Sequence, residues 1–410
     1  MTEAVITGLG PVALNGLGKD RFWEALRNGK AGICPVVHSQ GDRHSREIAG
    51  RIPRSWILER DSYSHFNGAS WRTKLIVAAA RLALQDAGLT QTEYSSCRAS
   101  VIMGASNIDM EVTERELAVY MESGAACPTG IASASPHAAA SEIARELNCS
   151  GTVLTFTVAC SSGLVSIIAA VESILRGESD LVLAGGGDAS VTPFFVNSLC
   201  ATGVHPSNSG NGSAMASKPF DAQREGGVLT EGAGVVLVES LEHARQRGAH
   251  IYARVTGWGI ANATSPKLLR EAFASAMEQS LARAGLSPGM IDYVSAHAPG
   301  IQLSDRLEVQ AIKDVFGVQA YNLAVGSIKS MIGNPMAASG PLQVIAAAQS
   351  IEHGYLPPTT NYQHPDPHCD LDFVPNLGRV ARIRKVMVNS SGIGGCIASL
   401  IVTKVNPGSR

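Results

Sequence analysis

Seven residues near the start, Ala4-Val5-Ile6-Thr7-Gly8-Leu9-Gly10, return in outline as Ala253-Arg254-Val255-Thr256-Gly257-Trp258-Gly259. An echo of this kind points to two similar halves in one chain. Each copy opens a stretch that later reaches a glycine-rich loop after a strand-like run. The loop is Ala184-Gly185-Gly186-Gly187 in the first stretch and Ser391-Gly392-Ile393-Gly394-Gly395 in the second. Strand-like and helix-like segments alternate in between. Ser100-Val101-Ile102-Met103-Gly104 and Leu181-Val182-Leu183-Ala184-Gly185 read as buried strands, and residues 73–87 and 136–147 read as helices. Such alternation argues for α/β layers. The expected halves are residues 1–250 and 251–410. No low-complexity linker separates them, so they are expected to pack as one unit.

Composition narrows the function. The 410 residues are 45% hydrophobic and 17% charged, with a formal charge of -2. That is enough chain for a sizeable core. The balanced charge supplies no basic field for nucleic acid or a membrane surface. No apolar stretch reaches the roughly 20 residues that a spanning helix needs. The chain begins directly on a strand-like run and not on a signal-peptide pattern. The eight cysteines (Cys34, Cys97, Cys127, Cys149, Cys160, Cys200, Cys369 and Cys396) show no CxxC pairing. This argues against a zinc site or a disulfide framework, and a reducing cytoplasm is the expected setting.

The candidate chemistry centres on Cys160, in Thr155-Phe156-Thr157-Val158-Ala159-Cys160-Ser161-Ser162-Gly163-Leu164. Thr152-Val153-Leu154 upstream reads as a buried strand. Leu164, Ile167, Ile168, Val171, Ile174 and Leu175 downstream recur at helical spacing. The thiol therefore falls where a strand turns into a helix, and small neighbours allow a tight turn. A helix N-terminus favours a thiolate and presents backbone N–H groups to an oxyanion. On that ground Cys160 is expected to alkylate ahead of the other seven cysteines. A packed core thiol is the competing reading. His297 closes the strand-like run 291–296. Asn334 lies in Gly333-Asn334-Pro335, a loop entering an apolar helix over residues 342–351. Asp305 and Glu308 are three apart at a helix start, suited to capping or to pairing with Lys329. Each has a bland alternative: a core or surface histidine, a turn asparagine, a structural ion pair.

Taken together, the motifs resemble the β-ketoacyl-acyl-carrier-protein synthases of the thiolase superfamily, in the elongating and type II polyketide branch. The resemblance runs over essentially the whole chain. It rests on Val158-Ala159-Cys160-Ser161-Ser162-Gly163, on Lys218-Pro219-Phe220-Asp221 with Arg224, Gly226 and Glu231-Gly232-Ala233-Gly234, and on Lys329-Ser330-Met331-Ile332-Gly333. Leu356-Pro357-Pro358-Thr359-Thr360-Asn361-Tyr362, Pro365-Asp366-Pro367 with Cys369-Asp370-Leu371, and Asn389-Ser390-Ser391-Gly392-Ile393-Gly394-Gly395 complete it. The resemblance implies a duplicated βαβαβαββ unit in a five-layer αβαβα sandwich. It also implies a dimer with the nucleophile strand near the interface. Cys160 would take an acyl group from a pantetheine thioester, with the backbone N–H groups of Cys160 and Ile393 as oxyanion hole. His297 and Asn334 would assist decarboxylation of a malonyl-type thioester. Lys329, Asp305 and Glu308 would hold the geometry. No metal or resident cofactor is implied, because substrates arrive on acyl carrier protein or CoA.

The chain departs from the family pattern. Asn334 stands where a second histidine is usual, which leaves Cys-His-Asn. Asn can donate a hydrogen bond to an enolate but cannot exchange a proton near neutral pH. Ala298-Pro299-Gly300-Ile301 lacks the hydroxyls of the usual Gly-Thr-x-Thr. Ile393 replaces a gating Phe, Cys396-Ile397 replaces a Thr-Asn pair, and Val204-His205 lies where a carrier-docking Arg is common. These changes point to a specialised acyltransferase and not to housekeeping fatty-acid elongation. Three readings follow: a decarboxylating condensing enzyme, an acyltransferase to an amine, alcohol or carrier, and a non-catalytic partner subunit of the chain-length-factor kind. Homodimer and heterodimer both stay open. Ser106 and Asn107 are expected to line the acyl pocket and to favour a short, unsaturated or polar acyl group, since a buried Asn needs a partner.

Overall fold

The computed structural model describes residues 2–40, 43–58, 69–206 and 213–405. Strand Ala4–Ala13 (β1) leads to helix Trp71–Asp86 (α1), strand Ala99–Gly104 (β2), helix Ala138–Glu146 (α2) and strand Val153–Phe156 (β3). Helix Ser162–Leu175 (α3) and strands Leu181–Asp188 (β4) and Gly232–Ser240 (β5) follow. The same succession then runs again. It comprises Ala253–Asn262 (β6), Leu269–Ala284 (α4), Tyr293–Ser295 (β7), Gln302–Phe316 (α5), Ala324–Gly326 (β8), Ser339–His353 (α6), Lys385–Ser391 (β9) and Cys396–Thr403 (β10).

Strand order runs β3-β2-β4-β5-β1-β6-β10-β9-β7-β8. Read outward from the centre, both sides match. Two antiparallel pairings (β1 with β5, β5 with β4) are followed by two parallel ones (β4 with β2, β2 with β3). On the other side β6 pairs β10 and β10 pairs β9 antiparallel, then β9 pairs β7 and β7 pairs β8 parallel. The two sheets touch through β1 and β6, where Ala4, Val5 and Ile6 face Val255, Arg254 and Ala253.

Side-chain alternation along the strands sorts the core into layers. Val236 and Val238 of β5 join α3 and α6 in a central core, while Val235 and Leu237 face α1. In the second half Val386, Val388, Leu400 and Val402 face the central core, and Met387 and Ile401 face Phe273, Met277, Val309 and Ile312 of α4 and α5. Helices α3 and α6 are therefore sandwiched between the sheets, with α1 and α2 outside one sheet and α4 and α5 outside the other. This is the five-layer αβαβα arrangement. One local expectation fails. Within the single chain the strand before Cys160 is an edge strand and not a buried one: among the described residues β3 pairs only with β2, and Leu154 is 45% exposed.

The sequence echo has a steric cause. A Cβ on Gly8 would lie 2.2 Å from the Ala83 carbonyl oxygen of α1, and one on Gly10 would lie 1.9 Å from that of Ala79. A Cβ on Gly257 would lie 2.0 Å from the Ser280 carbonyl oxygen of α4, and one on Gly259 would lie 2.2 Å from that of Ala276. Both outer helices thus rest directly on strand backbone. Gly257→Ala should destabilise the protein by about 1–3 kcal/mol, as overpacking does. The check is the midpoint of urea unfolding at unchanged slope.

Candidate active site

Cys160 sits in a strained turn between β3 and α3. Ala159 adopts φ +52, a region that costs a non-glycine residue about 1–3 kcal/mol. Local hydrogen bonds hold it there. Val158 N–H donates to Ser162 Oγ at 2.8 Å, and Ser162 Oγ donates to the Ala159 carbonyl at 2.6 Å. The second half clasps the same turn. Ser390 Oγ donates to the Cys160 carbonyl at 3.2 Å, and Ser161 Oγ donates to the Cys396 carbonyl at 2.9 Å. A Cβ on Gly392 would lie 2.4 Å from the Val158 carbonyl oxygen, so the loop carrying Ile393 packs against the cysteine turn. The starts of α3 and α6 also meet closely. A Cβ on Gly163 would lie 2.2 Å from the Ala337 carbonyl oxygen.

These contacts bring Cys160, His297, Asn334 and Ile393 onto one cavity of about 420 Å³. Its other walls include Leu199, Val204, Leu229, Pro299 and Met336. Ile393 stands at the rim, 63% exposed, whereas Cys160 is 3% exposed and His297 4%. His297 begins the loop after β7, and α5 holds that loop by carboxylates. Glu308 accepts the backbone N–H of His297 and of Ala298, both at 2.8 Å, and the Asn389 amide at 3.1 Å. Asp305 accepts the N–H of Phe220 at 3.0 Å and of Gly300 at 3.2 Å, with Arg224 Nε 3.5 Å away. Lys329 Nζ donates to the His297 carbonyl at 2.7 Å and to Gln343 Oε1 at 3.3 Å. Of the two roles expected for Asp305 and Glu308, capping or pairing with Lys329, the structure shows them capping backbone N–H groups. Asp305 also faces Arg224 and Glu308 the Asn389 amide, and among the described ion pairs neither carboxylate touches Lys329. Asn334 Oδ1 accepts from Ser339 Oγ at 3.2 Å.

Burial governs the charges here. It pushes the Cys160 thiol up to about 11, and the nearby Asp188 adds to this. Lys329 and a hydrogen bond from the Asn334 side chain act the other way. Burial, then the Lys329 charge, holds His297 well below the usual imidazole range, so the ring is neutral. Burial brings Lys329 down to about 8, against the pull of Glu308. Burial also lifts Asp305 to about 7 and Glu308 above its ordinary value. The helix N-terminus therefore does not yield the ready thiolate that the local sequence suggests, because Cys160 is shut away from water.

Ser106 and Asn107 do not line this cavity. They follow the end of β2. Ser106 N–H points to the Asp188 carboxylate at 3.3 Å, the Asn107 carbonyl accepts from Arg72 at 2.7 Å, and its Oδ1 accepts from Ser190 at 3.4 Å. The argument for a polar acyl lining therefore loses its footing. Two residues not singled out in the sequence stand close instead. Met336 Sδ lies 3.6 Å from Cys160 Sγ. Asp188, fully buried at the end of β4, accepts the Ala337 N–H at 2.8 Å. The available signal for Asp188 was an acid ending a glycine run in a buried strand. Met336 carried none beyond its place two residues after Asn334.

Two outcomes follow. Exposed Cys34 and Cys127 should react with iodoacetamide before Cys160, the reverse of the sequence expectation, and Cys160 labelling should keep rising with pH beyond 9. Peptide mapping across pH 6–10 checks this. Glu308→Gln swaps an acceptor for a donor facing backbone N–H groups and should cost about 1–3 kcal/mol, as an unsatisfied buried group does. Thermal unfolding reads that loss, and it should come with slower turnover of any acyl-Cys160.

With the geometry in view, comparison with known proteins is informative. The model of the β-ketoacyl synthase N-terminal domain matches residues 1–244, and that of the C-terminal domain matches residues 252–363. The 3-oxoacyl-[acyl-carrier-protein] synthase 2 of Coxiella burnetii is 34% identical, with 98% of this chain and 99% of that protein covered. The tetracenomycin polyketide synthase ketoacyl synthase alpha subunit of Streptomyces glaucescens is 35% identical, with 98% and 97% covered. Among solved structures, the ishigamide ketosynthase/chain length factor superposes with a TM-score of 0.91 at 31% identity, covering 99% of this chain and 100% of that one. A type II PKS acyl-carrier protein in complex with its ketosynthase superposes with a TM-score of 0.89 at 31% identity, covering 98% and 100%. Both the family models and full-length relatives above 30% identity agree with the mirrored five-layer fold: the chain belongs to the β-ketoacyl synthase family.

Proposed function

We propose that Cys160 carries the acyl group in a condensation with a malonyl-type thioester, with His297 and Asn334 holding the enolate oxygen. As a β-ketoacyl synthase the chain is a condensing acyltransferase of fatty-acid or polyketide biosynthesis. The observation that supports these residue roles is the convergence of Cys160, His297, Asn334 and Ile393 on one cavity. The thiol attacks the thioester carbonyl, and the backbone N–H groups of Cys160 and Ile393 take the oxyanion. The pantetheine thiol leaves with the proton. Loss of CO₂ from the second thioester then makes an enolate. Neutral His297 and the Asn334 amide donate to its oxygen, and its carbon displaces Cys160.

The shell around this chemistry supports a specialised substrate delivered on acyl carrier protein or CoA. The halves 1–250 and 251–410, one bringing the cysteine and the other His297 and Asn334, belong to the same proposal, as does assembly into a homodimer or with a ketosynthase-like partner. The relative solved as a ketosynthase/chain length factor favours asking which. Presence of Cys160 weighs against a purely non-catalytic partner.

Asn334→Ala should leave acyl-Cys160 formation intact, read by intact mass. It should lower labelled CO₂ release from a malonyl-thioester by about 10²–10³, the usual cost of one such donor. If no CO₂ is released while an added amine or alcohol discharges acyl-Cys160, simple acyl transfer replaces condensation. If the variant changes neither step, Asn334 is only a turn residue.

A further inference from the structure

We propose that Met336 is a movable plug that sets how long an acyl group Cys160 can accept. This deepens the reading of Cys160 as the acylated residue and rests on it. The Cys160 thiol donates to Met336 Sδ at 3.6 Å, which is van der Waals contact and leaves no room for a methylene between them. Met336 is 4% exposed and packs with Val36, Val191, Val196 and Leu229, an apolar cluster that includes Cys160 itself. An acyl chain on Sγ has two ways to run. One is back along the cavity past His297 and Asn334, where the second thioester has to come. The other is into the apolar cluster of Val36, Val191, Val196 and Leu229, where the Met336 side chain now lies against the sulfur.

The backbone around Met336 is held by its neighbours. Met336 has φ +49, and the ring of Pro335 just before it locks that residue's own φ. Ala337 N–H is bound to Asp188 at 2.8 Å, and Ala338 N–H to the Pro335 carbonyl at 3.0 Å. Admission of a chain therefore falls to the Met336 side chain alone. Its three rotatable bonds and unbranched shape let it swing without moving the backbone. A short acyl group needs a small displacement. A longer one needs the thioether to leave its cluster and repack, at increasing cost.

The test uses alkyl methanethiosulfonates from methyl to decyl. The Cys160 thiolate attacks the sulfenyl sulfur, a disulfide forms, methanesulfinate leaves, and the thiol proton goes to buffer. No acyl chemistry is needed. In the unaltered protein the Cys160 labelling rate should fall by about tenfold or more along the series, as overpacking strain implies. Met336→Ala should flatten that dependence and Met336→Leu should retain it. Should the Ala variant fail to fold, Met336→Gly, relaxed at this φ, carries the same expectation. An unchanged chain-length dependence in the Ala or Gly variant overturns the proposal. A parallel series of acyl thioesters from acetyl to dodecanoyl, read by intact mass, keeps the two ideas apart. If no acyl group loads on any variant while the thiosulfonate dependence flattens, the acyl-Cys160 reading fails, and Met336 only gates the access of alkyl groups to the thiol.

Discussion

The arrangement depends on one close contact between the two central helices. Gly163 at the start of α3 meets the Ala337 carbonyl just before α6, and Gly340 at the start of α6 meets Leu164 of α3. Neither position has space for a Cβ. Each helix follows a loop that bears a candidate functional residue, Cys160 before α3 and Asn334 before α6. Bringing the helix starts into contact therefore brings those two residues together, although 174 positions separate them (334 minus 160). The outer helices repeat the device on Gly8, Gly10, Gly257 and Gly259. Backbone-to-backbone packing of this kind fixes distances more tightly than flexible side chains do.

The buried polar groups around the site work as supports for backbone. Glu308, Asp305 and Lys329 each contact main-chain atoms of the His297–Gly300 loop or its neighbours. Asp188 does the same for Ala337. A buried carboxylate satisfied by two or three N–H donors can replace regular secondary structure in holding a loop. In this way Glu308, Asp305 and Lys329 hold the loop containing Ala298, Pro299 and Gly300 through its backbone. The electrostatics follow from burial of the side chains themselves: it pushes the Cys160 thiol up and the His297 imidazole down, so both favour their neutral forms.

The sequence by itself determined the architecture, because its signals are local and periodic. Alternating strand and helix patterns, the Thr-Gly-x-Gly echo and the family motifs all act over short stretches, and the mirrored sheet order agrees with them. The motifs around Cys160, His297, Asn334 and Ile393 were equally legible, since each lies at an element end marked by small residues. Tertiary structure decided what depends on burial and on distant neighbours. Whether β3 is an edge strand depends on what lies beside it, and nothing in Thr152-Val153-Leu154 encodes that. The Cys160 thiol is raised and not lowered because its surroundings exclude water, which outweighs the helix terminus that the sequence made visible. The backbone of Ser106 and Asn107 is bound by Asp188 and Arg72, charges buried next to it in space, 82 positions downstream of Ser106 for Asp188 and 35 upstream of Asn107 for Arg72. Met336 reaches the sulfur only because two halves of the chain close around it, a contact no local pattern contains.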